Sequence, residues 1–336
     1  MDTCRFEIPA IAGPTACGKT SLVLKLATQF PIEVLSCDSR KAFIGADIGA
    51  AKPTKDEQKQ VRFHLMDLVQ PGDAYSVQQY VQAAHSAIAE IEQRGMLPLI
   101  EGGTGLYLEA LMRGYDFHHA PPLPKLRELL QASWALNSAK TAAAVLGLFP
   151  NESKRVDMQN LPRVIRLLER TLVTGSCEED AVQALEALEF SSAKSEVLHA
   201  RRQCASRYAI APVPVRGFCL LTERAELARR IEMRTNQMIA DGLVDEVAAL
   251  INSGIAPDAQ VLTGIGYREA AMYLQKEITM EQLAPLISLR TRQFAKRQDT
   301  WNRNRFCGFE QLPFTTEQER NAAHERIAEW IAKRLA

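Results

Sequence analysis

The sequence predicts an α/β protein: a parallel sheet flanked by helices, with an inserted all-helical domain. Three observations predict it. The apolar run Ile8-Pro9-Ala10-Ile11-Ala12 leads into the glycine-bounded turn Gly13-Pro14-Thr15-Ala16-Cys17-Gly18-Lys19-Thr20, and Ser21-Leu22-Val23-Leu24-Lys25-Leu26 follows with helical character. Short apolar runs then alternate with helical patterns, as in βαβ units. A proline cluster, His118-His119-Ala120-Pro121-Pro122-Leu123-Pro124, opens a stretch of purely helical patterning that ends near Arg202, before strand-like Gly217-Phe218-Cys219-Leu220-Leu221. Residues 1–117 and 203–336 are therefore expected to form two parts of one core, and residues 118–202 the insertion.

The first turn fits G-x-x-x-x-G-K-[ST], so the sheet is expected to be of the P-loop-containing nucleoside triphosphate hydrolase-like kind. In this pattern the glycines let backbone N–H groups turn inward on phosphate oxygens, and the helix N-terminus adds its positive dipole end. Lys19 supplies a mobile charge, and the Thr20 hydroxyl can ligate Mg²⁺. A di- or triphosphate, ATP among them, is the expected ligand; the reaction stays open, because many chemistries share the loop.

Pro31-Ile32-Glu33-Val34-Leu35-Ser36 reads as the second strand, and Asp38 lies directly beyond it. Ligands of open α/β sheets bind at that edge, where a carboxylate accepts a proton, holds a metal or caps a helix. Tyr75 to Arg94, with apolar Tyr80, Val81, Ala84, Ile88 and Ile91, reads as an amphipathic helix. Met96-Leu97-Pro98-Leu99-Ile100 is the next strand, ending at Glu101-Gly102-Gly103-Thr104-Gly105. A nucleotide hydrolase usually ends such a strand in Asp. Glu101 stands there instead, and no N-K-x-D box occurs, so hydrolysis is the less expected chemistry although Glu101 can replace the Asp. His64 and Asp67 read as structural, and His118 and His119 as loop surface.

In the helical stretch Leu161, Val164, Ile165, Leu168 and Leu172 form one stripe, while Arg163, Arg166 and Arg170 project oppositely. Spacing alone favours a solvated face. Later, Arg230 and Arg234 stack at i, i+4, which suits either a polyphosphate clamp or ion pairs to Glu226 or Glu232. Near the end Arg292, Lys296 and Arg303 share one helical face and Phe294 and Trp301 another. Such a helix suits either RNA phosphates or plain surface.

Composition sets the frame. Forty basic residues balance forty acidic ones, so any nucleic-acid contact has to come from local basic faces and not from a global field. The seven cysteines show no C-x-x-C pair or zinc spacing, and no stretch approaches the length of a membrane span. The first strand begins almost at the N-terminus, without a basic and long apolar leader. A reduced cytoplasmic compartment is expected, with no membrane and no stable protein partner implied.

Together these pieces resemble the tRNA dimethylallyltransferases, also called tRNA isopentenyltransferases. The resemblance runs in order through Gly13 to Thr20, Asp38-Ser39, Gly45-Ala46-Asp47-Ile48-Gly49-Ala50-Ala51-Lys52-Pro53, His64-Leu65-Met66-Asp67, Tyr75-Ser76, Gly102-Gly103-Thr104-Gly105-Leu106-Tyr107, Arg163-Val164-Ile165-Arg166, Gly266-Tyr267-Arg268-Glu269 and Ala295-Lys296-Arg297-Gln298 with Thr300-Trp301. It implies transfer of a dimethylallyl group from dimethylallyl diphosphate to N6 of the adenosine 3′ of the anticodon, with Mg²⁺ as cofactor and the tRNA anticodon stem-loop as partner. It further implies Asp38 as general base, Thr104 as an assisting hydroxyl, and Lys19, Thr20 and Arg230 or Arg234 around the diphosphate. The residues expected to meet tRNA are Asp38, Ser39, Arg40, Lys41, Pro162, Arg163, Val164, Ile165, Arg166, Lys296, Arg297, Gln298 and Arg303. This chain departs from the family pattern at Arg40, Lys41, Ala42 and Phe43, at Phe63, and at Glu101, where an apolar residue is usual. A catalytically weak tRNA-binding relative, an adenylate prenyltransferase and a small-molecule kinase are the rival readings.

Overall fold

The computed structural model describes residues 7–117, 120–154, 156–175, 177–203, 208–209 and 211–336. His118 and His119 lie outside them. The chain forms two units, Met1–Tyr115 with Ala211–Ala336, and Asp116–Ile210.

In the first unit, β1 (Ile8–Ala12), α1 (Lys19–Ala27), β2 (Ile32–Cys37), α2 (Lys55–Gln60), β3 (Phe63–His64), α3 (Val77–Gln93), β4 (Leu97–Gly102) and α4 (Gly105–Arg113) come first. The sheet runs β3-β2-β4-β1-β7-β8 once the later strands are added, and every pairing is parallel. β1, β2 and β4 are buried at every position and mostly apolar, with Glu33 and Ser36 in β2 and Glu101 in β4 as the polar exceptions. Leu22, Val23 and Leu26 of α1 pack with Ile11, Val34 and Leu99 beneath them. Tyr80 of α3 stacks on Tyr107 of α4 with ring centroids 4.7 Å apart.

The second unit holds β5 (Asp116–Phe117), α5 (Pro124–Leu148), α6 (Pro150–Ser153), α7 (Leu161–Thr174), α8 (Glu178–Ala187), α9 (Lys194–Gln203) and β6 (Tyr208–Ala209). It is not purely helical: β5 and β6 pair antiparallel, and the unit therefore extends beyond 118–202 at both ends. Two-residue strands leave too little pattern to read. Leu126, Leu130, Val164, Leu168, Leu172 and Val197 build its core. The wholly buried Glu169 carboxylate accepts from the Leu123 N–H at 2.9 Å and from Arg127 at 2.6 and 3.0 Å, which satisfies the charge within that core.

The chain returns as β7 (Val215–Leu221), α10 (Arg224–Ala240), α11 (Leu243–Asn252), α12 (Tyr267–Leu274), α13 (Met280–Arg305), β8 (Glu310–Pro313) and α14 (Glu317–Leu335). β8 is an edge strand, and its Glu310 and Pro313 give it no apolar signature. Ile327 and Ile331 of α14 join the core under α1. Among the described residues no helix is long and apolar enough to cross a membrane.

Candidate active site

The glycine-bounded loop from Gly13 to Gly18, expected to meet phosphates, joins central strand β1 to the N-terminus of α1. Gly18 holds φ at +106°, a left-handed conformation that side-chain-bearing residues rarely adopt, and this turns the chain into the helix. The Lys19 ammonium donates to the Gly13 and Pro14 carbonyls at 3.1 and 2.9 Å, so it lies curled over the loop. Arg230 and Arg234, one turn apart on α10, have different tasks. Arg230 donates to the Cys17 carbonyl at 2.7 Å, the Thr315 carbonyl at 3.0 Å and Glu226 at 2.7 Å, so it braces the loop while also lining the cavity described next. Arg234 makes one long contact, 3.5 Å to the Thr15 hydroxyl. Burial lowers its pKa from the ordinary value, while Asp38 and Glu101 pull the other way. A cavity of about 520 Å³ opens here, lined by Thr20, Asp38, Lys41, Glu101 and Arg234 among others.

A second cavity, about 340 Å³, is lined by Asp38, Ser39, Arg40, Thr104, Phe294 and Arg297. Asp38 and Arg234 border both cavities. The Asp38 carboxylate accepts the Arg40 N–H at 2.8 Å in a short turn, and the Thr104 hydroxyl oxygen accepts the Ser39 N–H at 3.2 Å. The β2 turn and the β4 turn are thus tied together, and each keeps a polar atom facing the second cavity. The Arg40 guanidinium donates to the Gln260 carbonyl and, at 3.4 Å, to the Thr263 hydroxyl, fixing the far side of the turn.

Helix α13 braces the whole arrangement through Gln298. Its amide oxygen accepts the Thr15 N–H at 2.8 Å and its amide nitrogen donates to the Gly103 carbonyl at 2.9 Å. A side chain on Gly103 would occupy the place of that amide, which explains the glycine. On the opposite flank the Asp47 to Pro53 segment is anchored from α11: the Glu246 carboxylate accepts the N–H groups of Asp47, Ile48 and Gly49 at 2.9, 2.8 and 3.1 Å. It also accepts the Tyr267 hydroxyl at 2.6 Å. Lys52, its side chain buried, donates to Asp47 and to the Phe43 carbonyl, both at 2.7 Å, and to Asp67. His64 lies 2.6 Å from Glu33.

The IPP transferase family model matches residues 41–305 of the sequence. The chain belongs to the IPP transferase family. It is 39% identical over 300 residues to the tRNA dimethylallyltransferase 1 of Trichlorobacter lovleyi, covering 89% of this chain and 91% of that protein. With the tRNA dimethylallyltransferase of a Roseiflexus species it shares 35% identity over 325 residues, 96% and 98% of the two chains. The crystal structure of a full-length tRNA isopentenylpyrophosphate transferase from Bacillus halodurans superposes with a TM-score of 0.66 at 30% identity, covering 98% of this chain and 96% of that one. A eukaryotic dimethylallyltransferase structure shares the fold, with a TM-score of 0.74 at 21% identity and coverage of 97% and 78%.

In this IPP transferase several residues expected at a tRNA surface lie elsewhere. Val164 and Ile165 belong to the core of the helical unit, where their side chains cannot reach RNA, because the Arg163 to Arg166 motif spans both faces of α7. Pro162 and Arg163 are exposed in its first turn. Arg166 is exposed, and its guanidinium donates to the Ala120 carbonyl at 2.6 Å and to Glu169 at 3.2 Å. Gln298 is buried and committed to the phosphate loop. Lys41 is buried too and faces the first cavity, its ammonium 3.7 Å from Glu101. α13 divides its basic residues: Arg297 lines the Asp38 cavity, whereas Arg292, Lys296 and Arg303 line a separate one of about 460 Å³ beside Pro14. Sequence reasoning missed Glu246 and the bracing role of Gln298, whose partners lie far away along the chain.

Proposed function

We propose that the chain transfers a dimethylallyl group from dimethylallyl diphosphate to N6 of the adenosine 3′-adjacent to the anticodon of tRNA, releasing diphosphate. The observation that carries this is the position of Asp38 on the border of a cationic phosphate cavity and a second cavity walled by Thr104 and Phe294. In the reaction the adenine N6 forms a bond to C1 of the dimethylallyl group, the C1–O bond to diphosphate breaks, and the N6 proton passes to the Asp38 carboxylate. The loop N–H groups, Lys19 and Arg234 meet the charge that develops on the departing oxygen. The Thr104 hydroxyl oxygen is already an acceptor, which leaves its proton for donation at the reacting centre. A diphosphate is the favoured reactant over ATP, because Glu101 stands where a nucleotide hydrolase usually carries an aspartate and no N-K-x-D box occurs in the sequence.

No cluster of three or more acidic, histidine or cysteine side chains is present among the described residues, so Mg²⁺ would be held by Thr20 together with diphosphate oxygens. Bound there, it supplies charge neutralisation to the leaving group. A flipped, loop-borne adenosine suits a base that must leave its stack to reach Asp38. Free thiols at Cys17, Cys37 and Cys219 suit the reducing cytoplasm in which we place the enzyme. The test is Asp38→Asn in a prenyl-transfer assay read by mass spectrometry of tRNA nucleosides. Turnover is expected to fall about 10²- to 10⁴-fold with tRNA affinity nearly unchanged; activity within a few-fold of the parent would remove Asp38 from its role.

A further inference from the structure

Lys41 and Glu101, two buried charged residues, meet inside the first cavity. Glu101 stands on central strand β4, in register with Ile11 of β1 and Ser36 of β2, so its carboxylate emerges between the phosphate loop and the Asp38 turn. Its side chain is 3% exposed. Oε1 takes a long 3.4 Å contact from the Thr20 hydroxyl, and Oε2 has no hydrogen-bond partner. The nearest compensation is the Lys41 ammonium at 3.7 Å, a charge contact too long to be a hydrogen bond. Both groups line the cavity that Thr20 lines. A buried carboxylate so poorly satisfied is held ready for another cation.

We propose that Glu101 and Thr20 form the protein half of a divalent-cation site in this cavity, Lys41 holding the carboxylate until the metal arrives. This rests on the reading of the cavity as a diphosphate site and adds to it a carboxylate ligand. Two hard oxygens in adjacent octahedral positions around Mg²⁺ stand about 3 Å apart. The observed 3.4 Å separation is close to that, and a carboxylate with a hydroxyl is a donor set for Mg²⁺ or Mn²⁺. Once the carboxylate binds the metal, the Lys41 ammonium is released toward the phosphate oxygens, so the cavity gains two cationic contacts in one exchange.

The test is Mn²⁺ binding to the full chain, followed by electron paramagnetic resonance with and without inorganic diphosphate. Glu101→Gln is expected to weaken Mn²⁺ binding at least about tenfold. Lys41→Gln, which removes the competing ammonium, should tighten Mn²⁺ binding in the absence of diphosphate. The double variant Lys41→Gln/Glu101→Gln leaves neither member of this pair as a lone charge, so it remains informative if Glu101→Gln alone does not fold. It should bind Mn²⁺ as weakly as Glu101→Gln. If Glu101→Gln stays within threefold of the parent, or if the double variant binds as Lys41→Gln does, Glu101 is only a counter-ion and the inference is overturned. A parent protein that binds no Mn²⁺ with diphosphate would instead overturn the diphosphate reading itself.

Discussion

At the scale of single residues, the two arginines of α10 line one cavity with different numbers of protein partners. Arg230 spends its donors on the Cys17 and Thr315 carbonyls and on Glu226, whereas Arg234 keeps one long contact and borders both cavities. Arg234→Met is therefore expected to weaken binding of a non-reactive dimethylallyl diphosphate analogue about 10- to 100-fold, with the unfolding midpoint nearly unchanged. Arg230→Met should instead lower stability by about 1–3 kcal/mol in a denaturant titration, because carbonyls 213 and 85 residues away lose their donor. Equal effects of the two changes on binding and stability would contradict this division. Spacing left both tasks open for either arginine, since i, i+4 stacking describes one helix face and says nothing about which neighbour that face meets. The placement of Asp38, Thr104 and the Gly13 to Gly18 loop at the ends of their strands was legible because turn chemistry is local. Gln298 was not: its partner Thr15 lies 283 residues away, and only tertiary packing unites them.

At the scale of elements, the sheet was legible wherever strands are buried on both sides and hidden at its edges. β1 is wholly apolar, and β2, β4 and β7 are mostly so despite Glu33, Ser36, Glu101 and Arg216; two-residue β3 and charged β8 carry no such run. The edge is held by polar pairing instead. Glu33 of β2 accepts from Arg94 at 3.0 and 2.7 Å and lies 2.6 Å from His64 of β3, which fastens α3 and β3 to the sheet. The Arg94 hydrogen bond, ahead of His64, keeps the Glu33 pKa below its ordinary 4.5. A carboxylate with a depressed folded-state pKa contributes stability that is full above its unfolded value and is lost as pH falls through the folded one. Glu33→Gln should thus cost about 1–3 kcal/mol at pH 7. The gap to the parent should close below pH 4.5, as the parent's own carboxyl becomes protonated. Parallel unfolding curves for the two proteins from pH 7 to pH 3 would show that the pair contributes no linkage.

At the scale of the whole molecule, forty basic and forty acidic residues leave no net field to draw in RNA, so binding has to depend on local cations. Arg163 of α7 and Lys296 of α13 are exposed. Each replaced by Ala should lower the slope of log affinity for tRNA against log salt by about one unit, and both together by about two, while binding of the diphosphate analogue holds steady. Fluorescence anisotropy of a labelled anticodon stem-loop over a salt series reads this directly, and an unchanged slope would mark both as ordinary surface. The bond pair of Gln298 has a mechanical meaning at this scale. The helix that carries Lys296 and Arg297 also holds the Thr15 N–H at 2.8 Å and the Gly103 carbonyl at 2.9 Å through the very next side chain. A slide of α13 by about an ångström exceeds what either bond tolerates. The register of this helix and the shape of the loop are therefore one coordinate: a force applied to the basic helix is felt at Thr15 and Gly103, and whatever fixes those two residues stiffens the helix in return.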